Sequence, residues 1–193
     1  SMICDLTALP VSNVSVYDAS TAAAEAITCA VRVHNRKASQ KNTVWVSELL
    51  PPEKMSVFHN YCQGSGIILK TLLHTADGHV DIGSAQSAAG SCGIYVEQPN
   101  CLGILDEGIC GLKEIIGAGT ALIVAVQPTS LGLIEAPGNY GADIVVGEGQ
   151  PLGSPLTFGG PIYGIFACTD KYLRQMPGRI VGRSIDGEGR EAY

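Results

Sequence analysis

The chain has few basic residues and no long apolar run, and each shortage excludes a class of partner. Lysine and arginine number 12 against 18 aspartate and glutamate residues, which gives a net charge of −6. A chain without a basic stripe has little attraction for a phosphate backbone, so we expect no nucleic-acid partner. No apolar run reaches the roughly 18 residues that cross a bilayer, and the start lacks a basic region followed by an apolar one, so we expect no membrane partner.

The cysteines lack the spacing of a metal site or a redox pair. The seven stand at Cys4, Cys29, Cys62, Cys92, Cys101, Cys110 and Cys168. They form no C-x-x-C pair, and no histidine lies nearby at metal-ligand spacing. The equal intervals joining Cys92, Cys101 and Cys110 arise easily by chance in a cysteine-rich chain, so we expect no metal. We predict small, buried, reduced thiols in a reducing compartment, the cytoplasm.

Aliphatic residues and glycine are abundant in the chain, and aromatic residues are scarce. Hydrophobic residues make up 46% of the chain and aromatic residues 6%, with 24 glycines. This composition predicts a single domain over residues 1–193 with an aliphatic core. The abrupt opening "SMICDL" and the polar end "DGEGREAY" predict a truncated piece of a longer protein, with Ser1 left over from cloning.

The apolar pattern alternates between helix and strand periods. A helix is predicted from Tyr17 to Arg36, where alanines recur at three- and four-residue spacing after the N-cap candidates Asp18, Ser20 and Thr21. The continuous apolar runs "TALIVAVQP" and "ADIVVGEG" indicate strands buried on both faces, as in parallel sheets.

The remaining elements complete the same alternation. Further strands are predicted at "NTVWVSE", "SGIILKTLLH", "CGIYVEQPN" and, antiparallel at an edge, "PIYGIFACT". Further helices are predicted at "PPEKMSVFHNYCQ" and from Asp106 to Ala118. The predicted fold class is therefore α/β, with a mostly parallel sheet flanked by helices.

Three stretches are predicted to meet at the carboxyl edge of this sheet, where ligands of open α/β folds bind. They are "YDASTA" at a helix start, "AVQPTSLGLI" at the end of one buried strand and "VVGEGQPLG" at the end of another. In order, they resemble the phosphate cup, the pyridine-nitrogen strand end and the cofactor-lysine turn in the large domain of fold type I pyridoxal-phosphate enzymes.

Three longer strings carry a closer resemblance. "CDLTALPVSNVSVYDASTAAAEA", "LGLIEAPGNYGADIVVGEGQPLGSPLTFGGP" and "RQMPGRIVGRSIDGEGREAY" together resemble the P-protein family of the glycine cleavage system, glycine dehydrogenase (decarboxylating). Within this family they resemble the first subunit of the two-subunit form. The resemblance covers nearly the whole chain.

The resemblance implies a reaction that this chain does not carry alone. The full enzyme would bind pyridoxal phosphate through a lysine, decarboxylate glycine with the cofactor ring as electron sink, and pass the aminomethyl group to the lipoyl arm of the H-protein. The cofactor lysine would belong to the second subunit. The first subunit would pair with it as a pseudo-symmetric dimer within a heterotetramer.

The residues that would hold the cofactor are missing here. Gln150 or Pro151 stands where the cofactor lysine would be, and no lysine occurs between Lys113 and Lys171. Gln127 stands where these enzymes usually place an aspartate against the pyridine nitrogen. We therefore expect no catalytic or cofactor-binding residue in this chain alone, no primary amine at the carboxyl edge, and no activity without the partner.

Five residues are candidates for a site shared with the second subunit: Tyr17, Asp18, Ser20, Thr21 and Gln150. Polar residues at a helix start usually cap the helix, and an aromatic residue before a helix commonly packs as a hydrophobic staple. For the polar residues of the helix start, capping is the favoured interpretation.

Two alanines depart from the family pattern. Ala8 and Ala19 stand where first-subunit sequences commonly have glycine. A Cβ restricts positive φ and the close approach of a ligand. Ala19 therefore weakens the hypothesis that this helix start binds a phosphate.

Other charged residues have no assigned catalytic role. Arg174, Arg179 and Arg183 are suited to binding the glycine carboxylate, but packing at an interface is the favoured interpretation. The four histidines, His34, His59, His74 and His79, are dispersed in the sequence and in no apparent serine or cysteine constellation.

Two alternative functions remain open from the sequence. One is a scaffold that stabilises the second subunit without contributing to its site. The other is a self-contained pyridoxal-phosphate enzyme that uses Lys113 or Lys171, although the first falls in a predicted helix and the second after an edge strand.

Overall fold

A computed structural model describes residues 2–36 and 41–193 of the chain. Ser1, interpreted above as left over from cloning, lies outside the described residues. Seven strands form the main sheet: β1 (Val11–Ser12), β2 (Thr43–Ser47), β3 (Ile68–Leu72), β4 (Gly93–Gln98), β5 (Ala121–Val126), β6 (Ile144–Glu148) and β7 (Gly164–Cys168). Their order across the sheet is β1-β7-β6-β5-β4-β2-β3.

The sheet is mostly parallel, as the continuous apolar runs predict. Strands β2 to β6 pair in parallel, and β7 runs antiparallel to β6. Leu122, Ile123 and Val124 of β5 are all fully buried, because helices or loops cover both faces of the sheet. The antiparallel direction of β7 is confirmed, but its expected edge position is wrong, because β1 pairs with its outer side.

The helices cover the two faces of the sheet. They are α1 (Met2–Thr7), α2 (Ala19–Asn35), α3 (Pro52–Gln63), α4 (Ile82–Ser87) and α5 (Leu112–Ile116). On one face, α2 contributes small buried residues, among them Ala22, Ala23, Ala26 and Ala30, to a core with Phe58 of α3. On the other face, α4 and α5 pack with Leu72 and Ile94 in a second core.

The helix predicted from Asp106 to Ala118 is only partly confirmed. A 3-10 turn occupies Glu107–Gly111, and α5 follows it. Two glycines, Gly108 and Gly111, lower the helix propensity of this segment. The Asp106 carboxylate accepts a hydrogen bond from the Gly108 amide at 2.9 Å, which fixes the turn at its start.

The two edges of the main sheet have different surroundings. Beside β1, the Val14 amide donates to the Arg179 carbonyl at 2.8 Å, and the Asn13 side-chain amide donates to the Pro177 carbonyl at 2.9 Å. At the opposite edge, the Lys70 ammonium of β3 lies 5.3 Å from the centre of the Trp45 ring.

The segment after Arg179 contains a two-stranded hairpin, formed by β8 (Ser184–Ile185) and β9 (Glu191–Ala192). An ion pair of 2.6 Å joins Arg183 to Glu191 across this hairpin. Within the described ranges, no helix combines the length and the apolar character needed to cross a membrane.

Ala8 ends α1 in a conformation that favours glycine. Its φ is +55°, and the Leu9 amide donates to the Cys4 carbonyl at 3.2 Å, as in a Schellman C-cap. A Cβ on the neighbouring Gly138 would lie 2.1 Å from the Ala8 carbonyl oxygen, so the two segments touch through their backbones. The glycine that the family commonly has at position 8 would fit this geometry without strain.

We expect Ala8→Gly to raise the free energy of unfolding by about 0.5 to 1 kcal/mol, because the strain of a left-handed alanine exceeds the added entropy of glycine in the unfolded chain. Urea unfolding measures the difference. Ala24→Gly, inside α2, is the matched control and should lower stability. Equal destabilisation by both substitutions would contradict the strain at Ala8.

Candidate functional site

A cavity of about 300 Å³ opens at the carboxyl ends of β4, β5 and β6. All three stretches predicted to meet at this edge contribute to its wall: Ala19 from the start of α2, Gln127 after β5, Glu148 at the end of β6 and Pro151 in the turn that follows. The sequence prediction of a site at this edge therefore corresponds to a real concavity.

Glu148 forms the end of the cavity beneath α2. One carboxylate oxygen accepts from the Ala19 amide at 3.2 Å. The other accepts from the amides of Gln150 at 3.1 Å and Tyr163 at 3.0 Å. One acidic side chain thus joins the start of α2, the turn after β6 and the segment leading into β7.

The glycine after Glu148 is required by protein packing. A Cβ on Gly149 would lie 2.0 Å from Cε2 of Tyr163, so only glycine lets this ring lie against the turn. The Gly149 amide also donates to the Tyr163 carbonyl at 2.8 Å. The glycine-rich turn therefore accommodates a tyrosine of the same chain.

Gln127 is committed to its own turn. Its side-chain oxygen accepts from the Thr129 amide at 2.7 Å and the Thr129 hydroxyl at 2.8 Å. It caps the 3-10 turn Pro128–Gly132. A neutral amide in this role carries no charge with which to hold a protonated pyridine nitrogen.

Lys54, Glu97 and Tyr95 form a polar network on the cavity wall that sequence reasoning missed. The Lys54 ammonium pairs with the Glu97 carboxylate, and the Tyr95 hydroxyl donates to the same oxygen at 2.7 Å. Tyr95 is fully buried, and its ring meets Phe58 edge-on. Burial raises the pKa of Tyr95, and the Glu97 charge raises it further.

The expectation that no primary amine lies at the carboxyl edge is therefore wrong for Lys54. The signal was present: α3 follows β2, and a helix that follows a parallel strand begins at the carboxyl edge of the sheet. As an ammonium ion paired with Glu97, Lys54 has no lone pair with which to attack an aldehyde.

The five shared-site candidates lie around the cavity and are not among its lining residues. Asp18 is the N-cap of α2, and its carboxylate accepts from the Thr21 amide at 2.7 Å, as capping predicts. Ser20 and Thr21 lie inside the first turn of the helix. The Gln150 side chain donates to the Ser154 carbonyl at 2.7 Å, whereas Tyr17 is 78% exposed.

The three arginines also lie away from the cavity wall. Arg174 and Arg179 are exposed, and Arg183 is paired within the β8–β9 hairpin. The segment between Arg174 and Arg179 is bound to the rest of the chain through its backbone, because the Arg32 guanidinium donates to the Gln175 carbonyl at 3.1 Å.

Two of the four histidines lie near acidic residues. Nε2 of His74 lies 3.3 Å from the Ser47 hydroxyl, and its Nδ1 lies 3.7 Å from a Glu48 oxygen. This serine constellation was not expected from the sequence, but Ser47 is 1% exposed and out of reach of a substrate. Burial lowers the pKa of His74, although the nearby Glu48 charge acts to raise it. In His79, by contrast, a hydrogen bond to Asp106 raises the pKa.

The two lysines of the self-contained alternative lie at the wrong edge of the sheet. Lys113 donates to Asp143 at 2.5 Å and to the Thr120 carbonyl at 2.8 Å, and these partners precede β6 and β5. Lys171 follows β7, whose antiparallel direction ends it beside the start of β6, and its ammonium lies 5.0 Å from the centre of the Tyr172 ring. Neither position supports a covalent bond to a ligand in the cavity.

The cysteines form neither a bridge nor a metal centre in residues 2–36 and 41–193. No disulfide joins them, and no group of three His, Cys, Asp or Glu side chains there could hold a metal ion. Burial raises the pKa of Cys29 to about 11 and that of Cys168 to about 12, so both stay protonated near neutral pH.

The cavity does not fit the cofactor that the fold resemblance implies. Gln150 and Pro151 offer no amine, Gln127 offers no charge, and the Glu148 carboxylate already lies on the α2 amide that would meet a phosphate. The cavity keeps the shape of a ligand site and lacks the groups that anchor this ligand.

Comparison with known families supports the sequence resemblance. A family model described as "Glycine cleavage system P-protein" matches residues 1–193. "Probable glycine dehydrogenase (decarboxylating) subunit 1" of Thermococcus onnurineus is 44% identical over 197 residues, which cover 100% of this chain and 43% of the relative. The protein of the same name from Prosthecochloris aestuarii is 42% identical and is covered to the same extent. The chain therefore spans less than half the length of these relatives.

Solved structures give the same result. A crystal structure of glycine decarboxylase (P-protein) of the glycine cleavage system, in inhibitor-bound form, matches with a TM-score of 0.87 and 36% identity over 98% of this chain and 42% of that one. A cystathione gamma lyase from Micromonospora echinospora matches with a TM-score of 0.64 at 15% identity, over 93% of this chain and 46% of that one, which shows the fold alone.

We expect Lys54→Met to lower the free energy of unfolding by about 2 to 4 kcal/mol, because it leaves the largely buried Glu97 carboxylate without its counter-ion. Urea unfolding measures the loss. Adding Glu97→Gln to the same chain should restore most of it, since the amide still accepts from Tyr95. Strictly additive losses in this double-mutant cycle would show that the two side chains are not coupled.

Proposed function

The chain belongs to the glycine cleavage system P-protein family, and we propose that it is part of the first subunit, which assembles with a second subunit that carries pyridoxal phosphate. In this proposal, residues 1–193 form one domain of a longer protein. When bound, the cofactor supplies the electron sink for glycine decarboxylation. The lipoyl H-protein accepts the remaining aminomethyl group in the complete enzyme.

One observation carries the proposal: the carboxyl-edge cavity keeps its place in the fold without an available amine at its turn. Gln150 binds the Ser154 carbonyl, and Lys54 is paired with Glu97. A chain of this family with such a cavity depends on another polypeptide for covalent cofactor chemistry. The reducing cytoplasm is the proposed location, since no disulfide joins the cysteines of the described ranges.

An apolar segment beside the cavity supports assembly with a partner. Four large side chains between β6 and β7 reach the surface: Leu152, Leu156, Phe158 and Ile162, with exposures of 38%, 75%, 109% and 48%. Phe158 also has a φ of +48°, which is costly for a residue with a Cβ. A run of exposed apolar side chains in one segment, one of them with a strained backbone, is typical of an interaction surface.

The scaffold alternative also has a supporting observation. The polar candidates Asp18 and Gln150 bond within their own turns, and neither lines the cavity. Tyr17, at 78% exposure, is therefore the best remaining candidate to contact a shared site. Co-expression of Tyr17→Phe with the second subunit separates the two functions: reduced glycine decarboxylation with intact assembly supports a site contribution, and unchanged turnover supports a scaffold.

We expect the isolated chain to form no stoichiometric covalent adduct with pyridoxal phosphate and to release no carbon dioxide from glycine. Borohydride reduction followed by peptide mass spectrometry detects any lysine adduct. Lys54→Met is the control, because Lys54 is the cavity amine. A full adduct on wild-type Lys54 that disappears in this variant, or turnover of glycine by the chain alone, would overturn the proposal.

We expect Phe158→Asn to weaken assembly with the second subunit by roughly tenfold or more, as loss of an interface aromatic anchor does. The isolated variant should be at least as stable as wild type, because asparagine tolerates positive φ. Analytical ultracentrifugation measures assembly and urea unfolding measures stability. Leu133→Asn, at an exposed leucine outside the 152–162 segment, is the control, and equal weakening by both would locate the interface elsewhere.

A further inference from the structure

Glu148 brings a negative charge of the chain itself to the start of its longest helix. The carboxylate accepts three backbone hydrogen bonds, from Ala19 at 3.2 Å, Gln150 at 3.1 Å and Tyr163 at 3.0 Å. Gln150 and Tyr163 lie 2 and 15 residues after Glu148, whereas Ala19 lies 129 residues before it. Their convergence on one side chain makes a compact nest of N–H donors around a carboxylate.

Such a nest is the kind of place where a phosphate group binds. Helix α2 has 17 residues, and the amides at its start carry partial positive charge that attracts anions. Here two acidic side chains of the chain satisfy amides of the first turn: Asp18 binds the Thr21 amide at 2.7 Å, and Glu148 binds the Ala19 amide. An incoming phosphate would have to displace Glu148 and then lie beside two carboxylates.

The cavity is large enough to hold a phosphate, so its size would not exclude one. The cavity next to Glu148 holds about 300 Å³ and is walled by glycine, alanine and proline residues as well as by the polar side chains. A tetrahedral anion is small by comparison. The Glu148 carboxylate therefore opposes the entry of an anion in two ways: it carries a negative charge, and it already occupies the three N–H donors.

We propose that Glu148 is a built-in anion that occupies the position of a ligand phosphate and makes this cavity reject phosphate-bearing ligands. It is a specificity-determining residue of the cavity. The inference deepens the proposed function, because it gives a second cause, independent of the missing lysine, for leaving the cofactor to the partner.

The test uses the isolated chain and inorganic phosphate as the probe. Wild type should show no saturable phosphate binding by calorimetry or by ³¹P line broadening at constant ionic strength. Glu148→Ala removes the carboxylate and should bind phosphate roughly tenfold or more tightly than wild type, since it leaves three converging amides, one of them at the start of α2, without their anion. Phosphate, but not chloride, should also raise the melting temperature of this variant.

Two further variants decide the interpretation. Glu148→Gln keeps the size of the side chain and removes only its charge, and it serves if Glu148→Ala does not fold, as judged by near-ultraviolet circular dichroism of Trp45. The double variant Lys54→Met/Glu97→Gln removes a carboxylate together with its ammonium partner from the same cavity, away from the α2 amides, and it should gain no phosphate affinity.

Three results would overturn the inference: phosphate binding by wild type equal to that of the Glu148 variants, no gain in a folded Glu148 variant, or the same gain in Lys54→Met/Glu97→Gln. These measurements need no partner and no turnover. A failure here therefore leaves the proposed assembly untouched, and a failure of assembly leaves the phosphate result unchanged.

Discussion

The parallel pairing of β2 to β6 is the constraint on which the other features depend. Side chains such as Ile123 and Val124 are buried on both faces, at roughly 1.5 to 3 kcal/mol for each large aliphatic side chain, so the register resists displacement. Parallel strands place all their carboxyl ends at one edge. That edge carries the cavity, whereas Lys113, in its ion pair with Asp143, lies at the amino ends of the strands. The direction of the strands, more than the number of lysines, decides which amine can meet a ligand.

The sequence was most informative where local pattern and tertiary packing agree. The runs at β5 and β6 and the cap at Asp18 depend on neighbouring residues, and all three are present. Helix α1 was not predicted, because it has only six residues and is followed by a left-handed Ala8 that sequence pattern does not reveal. The contact between Glu148 and Ala19 spans 129 residues, so it requires the register of the sheet, and no motif in one segment announces it.

The cavity is stabilised by contacts that a ligand would otherwise make. A buried carboxylate without partners is costly, and here Glu97 has an ammonium and a phenol while Glu148 has three amides. The turn after β6 keeps its glycine for Tyr163. A fold that hosts cofactor chemistry in related enzymes can therefore persist as a structural unit once its own polar side chains complete the hydrogen bonds.

The two outer strands of the main sheet, β1 and β3, also affect how the molecule behaves at high concentration. An open strand edge offers unpaired amides and carbonyls on which another chain can add a strand and start a fibre. Beside β1, the Val14 amide, which an added strand could use, donates to the Arg179 carbonyl, and the Asn13 side chain binds the Pro177 carbonyl. At β3, the charge of Lys70 opposes the approach of a second copy. Polymerisation through strand addition is thus hindered by a covering peptide on one side and by electrostatic repulsion on the other.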